Sequence, residues 1–151
     1  MPLQLDIVTP ERLAYSDEVD EVVCPGTDGE LGILPHHAPL LSTLGFGELK
    51  IRRAGLEEYF AIAGGFVLVR PDKVIVMAET ADLASDIDLG AAEQARHEAE
   101  RALTEGFTEP ADMARAQAAM ERALLRIRVA ERRRREGPRH RQNRPPTESD
   151  G

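Results

Sequence analysis

Near Asp86 the spacing of apolar residues along the chain changes, and that change limits the fold more than any other feature. Before it, short apolar runs repeat with period two and are broken by Gly or Pro at roughly 8- to 15-residue intervals, the pattern of an all-β sandwich or barrel. After it, Leu89, Ala92, Ala95, Ala99, Ala102 and Leu103 recur at helical spacing. The expected fold class is α+β, an N-terminal all-β sandwich followed by a C-terminal antiparallel α-helical hairpin. The expected division is 1–85 for the sandwich, 86–136 for the hairpin and 137–151 for a disordered tail.

Within the first part, Leu3, Leu5 and Ile7 alternate with Gln4 and Asp6, and a second strand is expected from Val19 to Cys24, stopped by Pro25. Glu48–Arg52 and Glu58–Ile62 read as a hairpin around Arg53-Ala54-Gly55. Phe66–Val69 and Val74–Met77 flank Arg70-Pro71-Asp72-Lys73 and are apolar enough to be central strands.

Asp86 or Asp88 can cap the first helix. Thr104–Thr108 breaks the stripe, and Pro110 suits the first turn of a second helix whose expected apolar face is Met113, Ala116, Met120, Leu124, Ile127 and Ala130. Twelve alanines between residues 89 and 135 make both stripes thin. Each alanine buries far less than the ~1.5 to 3 kcal/mol of a large side chain, so the hairpin is expected to dock weakly and to act as a mobile appendage. After Glu136 the segment Gly137–Pro146 offers nothing to bury.

Charge is divided unevenly. Residues 1–88 hold 16 acids and 6 bases, whereas 89–151 hold 11 acids and 13 bases. The acidic front half argues against duplex nucleic acid as a partner. The lone Cys24 rules out an intramolecular disulfide and a Cys-rich zinc site, and its place in an apolar run reads as core packing. The start of the chain has neither the basic head nor the apolar stretch of a secretory signal, and no window approaches the ~20 apolar residues of a membrane span. A chain that stays in the cytoplasm, or reaches a membrane only through a partner, is expected.

Motifs for catalysis are missing. Gly26, Gly29 and Gly32 resemble a phosphate loop only until one looks for the following Lys-Ser/Thr, which does not come. His36 and His37 are adjacent and so cannot comfortably chelate one metal from a regular element. No nucleophile-base constellation is suggested. The run Arg132–Arg135 closes the second helix, where cations favour the dipole and also suit an acidic partner.

The segment from Gly26 to Leu41, reading GTDGELGILPHHAPLL, resembles the GxxGELGILPxHAPLL signature of bacterial F-type ATP synthase epsilon subunits. Tyr59–Val69 followed by Val74–Ala81 is similar to that family's central hairpin, and the Ala-rich helical pair ending in Arg126–Glu131 completes a resemblance over roughly residues 3 to 135. The resemblance implies a non-catalytic rotor subunit that couples the c-ring and gamma subunit to the catalytic head in proton-driven ATP synthesis. It also implies a hairpin that inhibits ATP hydrolysis, and a peripheral location on the cytoplasmic face of the plasma membrane, with no membrane insertion of its own.

It further implies particular residues. Glu30 and His37 match the loop positions that approach the c-ring and gamma. Arg126, Arg128, Arg132, Arg133, Arg134 and Arg135 would meet acidic loops of the beta subunits in the alpha/beta head. No cofactor is expected as standard. Regulatory ATP is the one alternative, at Ile87 and Asp88 with Arg115, Arg122 and Arg126, although Ala91 stands where that family motif has Arg, a lost bidentate donor. The competing reading is a stand-alone interaction module whose basic helix end binds an acidic partner or nucleic acid.

Overall fold

A computed structural model describes residues 3–143, with side chains described as far as Arg132. Seven strands come first: β1 (Leu3–Val8), β2 (Leu13–Val19), β3 (Glu21–Gly26), β4 (Gly29–Ile33), β5 (Leu40–Arg53), β6 (Leu56–Val69) and β7 (Lys73–Leu83). A 3-10 turn (Ala84–Asp86) leads into α1 (Leu89–Glu105) and α2 (Pro110–Asn143). The strands join in one hydrogen-bonded sheet of order β2-β1-β7-β6-β5-β3-β4, in which β1 and β7 are parallel and every other pair is antiparallel.

That single sheet becomes a sandwich because its longest strands bend. The segments expected as separate strands at 58–62 and 66–69 are one strand, β6, continuous through Gly64-Gly65. Gly65 has φ +130°, and a Cβ there would lie 2.1 Å from the Met77 carbonyl oxygen, so only glycine lets β6 bend this closely against β7. Leu44 still pairs with Gly65, and Phe46 with Ala63, on either side of the bend. The first halves of β5 and β7, the second half of β6, β1 and β2 form one layer. The other halves with β3 and β4 form the second.

Between the layers lie Leu3, Leu5, Ile7, Val22, Cys24, Ile33, Leu49, Phe60, Ile62, Val67 and Val76, all essentially inaccessible to solvent. Burial of the Cys24 thiol pushes its pKa up to about 12, which makes it the inert core residue expected from the sequence. The edge strand β2 closes over the other layer where its Tyr15 sets a ring edge against Phe60 of β6, centroids 5.7 Å apart. Arg53 of β5 pairs with Asp17 of β2 at the same end.

The region expected as one strand from Val19 to Cys24 divides at Asp20, where the chain crosses from β2 in one layer to β3 in the other. Arg53-Ala54-Gly55 does make the expected turn. Ala54 (φ 52°) and Gly55 (φ 79°) are both left-handed, as a two-residue hairpin loop needs, and Ala54 N–H donates to Asp20 Oδ2 at 2.8 Å.

Asp88, of the two capping choices, accepts from Ala91 N at 3.1 Å and starts α1, while Gly106 (φ 85°) ends it. The apolar faces differ from the expected ones. Ala95, Met113 and Leu124 are exposed, whereas Ala123, Leu125 and Val129 are buried; Ala130 is buried as expected. α2 packs on α1 and on the sheet at once, so its buried face is wider than a single stripe and is turned toward Leu125 and Val129. α2 also continues to Asn143, past the Glu136 boundary, although Pro138 removes one rung of its hydrogen bonding. The tail residues 144–151 lie outside the described residues.

Candidate functional site

The outer face of the second layer carries a short cross-strand row. Glu48 of β5 is in register with Ala61 of β6, and Ala61 with Asp82 of β7, so the three side chains point the same way. Two strand spacings put the carboxylate-bearing strands about 10 Å apart, and an α-helix is about 10 Å wide. Ala61, 2% exposed, is the floor between them.

α2 lies in this cradle. Leu125, Val129 and Ala130 pack with Tyr59, Ala61, Ala84, Ile87 and Ala92 in a cluster that shares no residue with the sandwich core. At about 100° per residue, Arg126 and Arg128 leave the helix on opposite flanks, whereas Arg128 and Arg132 share one. Arg126 Nε stands 3.5 Å from Asp82 Oδ2, an ion pair without hydrogen-bond geometry. On the other flank, Arg128 Nε donates to Glu48 Oε2 at 3.3 Å and Arg132 Nε to Glu48 Oε1 at 2.9 Å. The Arg132 guanidinium also sits 4.8 Å from the centre of the Tyr59 ring.

Three arginines singled out for an acidic partner, Arg126, Arg128 and Arg132, are thus brought together on the chain's own carboxylates. Arg133, Arg134 and Arg135 belong to α2, but their side chains lie outside the described residues. Nothing in the sequence marked Glu48 or Asp82, which read as ordinary polar strand positions. The one available signal was the i, i+4 spacing of Arg128 and Arg132, which puts two cations on one flank.

The residues grouped for regulatory ATP lie on the start of α1 and along α2. Ile87 is buried under α2, Asp88 is the α1 cap and Arg122 is exposed. Arg115 pairs with Asp112 at 3.0 Å near the hairpin tip, ~16 Å along α2 from Arg126.

Glu30 and His37 lie elsewhere on the sandwich. Glu30 is exposed at the turn end of the β3–β4 hairpin, opposite Pro25. His37 is half-buried in the loop between β4 and β5, where its Nδ1 is 2.7 Å from the Ala38 carbonyl; that oxygen can only accept, so Nδ1 carries the proton. His36 N–H anchors the same loop to the Pro71 carbonyl at 2.8 Å.

The outer face of the first layer carries an uncovered apolar band. Leu41, Phe66, Met77 and Leu13 are 64%, 50%, 40% and 59% exposed. Phe66 pairs with Met77, Met77 with Val8, and Val8 with Leu13, so these residues follow neighbouring strands across one face. A band of this kind marks a docking surface. Among the described residues no charged group is buried and no group of three or more His, Cys, Asp or Glu is placed to hold a metal. The sandwich therefore offers apolar contact on one side and ion pairing to α2 on the other.

Two family models cover the chain: the ATP synthase Delta/Epsilon chain beta-sandwich domain matches residues 2–84, and the Delta/Epsilon chain long alpha-helix domain matches residues 85–131. The chain belongs to the ATP synthase delta/epsilon family. Among curated relatives, the ATP synthase epsilon chain of Dehalococcoides mccartyi strain CBDB1 is 47% identical over 133 residues, covering 87% of this chain and 94% of that one. The epsilon chain of Herpetosiphon aurantiacus is also 47% identical, over 134 residues, covering 89% and 98%.

The family's fold is seen again in a Euglena gracilis mitochondrial ATP synthase structure (OSCP/F1/c-ring). Its TM-score is 0.68 at 21% identity, with 80% of this chain and 76% of that chain covered. A Tetrahymena thermophila mitochondrial ATP synthase central stalk/c-ring structure has a TM-score of 0.60 at 15% identity, covering 86% and 97%. In this member of the delta/epsilon family, the two matched domains meet at the arginine cradle.

Proposed function

We propose that the chain is a non-catalytic central-stalk subunit of an F-type ATP synthase. Its sandwich anchors to the gamma subunit and the c-ring, and its hairpin, when released, restrains ATP hydrolysis by meeting acidic loops of the beta subunits in the alpha/beta head. The observation that carries this reading is the division of one rigid sandwich into two unlike faces. The apolar band of Leu41, Phe66 and Met77 suits a permanent partner. The opposite face holds a thin, Ala-rich hairpin by a small apolar cluster flanked by ion pairs, which suits a reversible one.

In this arrangement Glu30 and the loop of His37 project from a stiff sheet toward the c-ring and gamma, as turns on a rigid scaffold can. No cofactor is required. The chain sits at the cytoplasmic face of the plasma membrane through its partners, and no helix among the described residues is long and apolar enough to cross a membrane.

Copurification tests the anchor. Full-length chain and a Phe66→Glu variant are mixed with a gamma-containing catalytic complex lacking this subunit. Phe66 is half exposed, so the variant should fold normally yet bind at least about tenfold more weakly, through a charge placed in an apolar contact. Undiminished binding by the variant contradicts the assignment of this face.

A further inference from the structure

We propose that Glu48 is the latch of the hairpin, an internal substitute for the acidic surface that the released α2 engages. The second half of this statement rests on the functional reading above; the first rests on geometry alone.

Glu48 receives two helix arginines, one on each oxygen: Arg128 on Oε2 and Arg132 on Oε1. Its side chain is 18% exposed, so the carboxylate is partly shielded from water, while Arg128 and Arg132 remain 59% and 42% exposed. Asp82 on the far flank holds Arg126 more loosely, at 3.5 Å. Apolar contact beneath α2 comes from Leu125, Val129 and Ala130 against Tyr59, Ala61, Ala84, Ile87 and Ala92, several of them small, and the two Glu48 pairs add a directional electrostatic contribution to that packing.

An arginine held by Glu48 is not available to another carboxylate in the same geometry. A partner that presents carboxylates to Arg126, Arg128 and Arg132 must displace Glu48 and Asp82, and in doing so lifts α2 off Ala61 and Tyr59. Docking and partner engagement are then mutually exclusive because they use the same three guanidinium groups. This is a competition with a defined chemical currency, carboxylate for carboxylate, and it needs no change in the sandwich.

The latch is tested on the isolated full-length chain by amide hydrogen exchange of α2, with β1 and β6 amides as the internal control for an intact sandwich. Glu48→Gln should raise the opening rate of residues 110–132 about tenfold, and so should Arg128→Gln combined with Arg132→Gln. Joining all three changes should open the hairpin no further than the arginine double variant, which already loses both Glu48 pairs and the Arg132–Tyr59 contact. Raising ionic strength from about 0.05 to about 0.5 M should open the wild-type hairpin more than Glu48→Gln, which keeps only the Arg126–Asp82 pair. Glu48→Asp separates charge from reach and should open less than Glu48→Gln. Unchanged exchange in Glu48→Gln, or effects that simply add, overturn the latch.

A second arm reads hydrolysis in the assembled complex, where Glu48→Gln should deepen inhibition. Opening in the isolated chain with no change in hydrolysis supports the latch and contradicts the inhibitory reading, so the two can fail separately.

Discussion

Glu48 and Asp82 stand in register on either side of Ala61, two carboxylates with a methyl group between them. The width of that gap, about 10 Å, is the width of a helix. α2 fills it with arginines directed to both rims, so the smallness of residue 61 is as much a part of the docking site as the two acids.

Ala61→Leu is therefore expected to evict the hairpin. Overpacking a tight contact costs about 1 to 3 kcal/mol, enough to offset the docking of an Ala-rich helix. Limited proteolysis should cut within residues 86–132 while the sandwich stays protected; equal resistance to wild type would show that the floor of the cradle can yield.

Acid should weaken the sandwich partly through Asp6. Gln4 and Ser16 donate to Asp6 Oδ1 at 3.0 and 2.8 Å, Lys73 lies 3.3 Å from Oδ2, and these bonds together hold the carboxyl below its ordinary value of 3.8. A group with a depressed folded pKa stabilises the fold above its unfolded pKa and loses that contribution as pH falls through the folded one. Asp6→Asn should cost about 1 kcal/mol at pH 7, and the difference from wild type should vanish as pH drops well below 3.8. Urea melts of both proteins across that range would check it.

Gly65→Ala should be among the most damaging single changes in the sandwich. The new Cβ would lie 2.1 Å from Met77 O and 2.9 Å from Ala78 Cα, at a φ of +130° that alanine rarely adopts. A loss of at least about 3 kcal/mol is expected, by equilibrium unfolding. A loss under 1 kcal/mol would mean that β6 reaches the second layer without this bend.

These features were unequally legible in the sequence. β1, the turn at Ala54-Gly55 and the β6–β7 hairpin announced themselves because alternation and turn chemistry agree there. β2 did not, because Leu13–Val19 is an edge strand whose residues are mostly exposed and which carries no clean alternation. The true face of α2 was hidden for a different reason: Leu124 and Leu125 are equally apolar, and only a helix with two neighbours distinguishes them. Arginines were recognisable as binders, but their partners were not. Glu48 and Asp82 are far from α2 in sequence, and only the register of β5, β6 and β7 sets them on opposite sides of one alanine.

The most direct test of the proposed role is the ATPase activity of a gamma-containing catalytic complex, reconstituted with the full-length chain or with a version stopped at Asp86. The sandwich keeps its whole core in the shorter form, since the core and the hairpin cluster share no residue. Equal binding of both, with hydrolysis restrained by the full-length chain and released by the shorter one, is the expected result. Binding by neither, or equal restraint by both, would contradict an anchoring sandwich with an inhibitory hairpin.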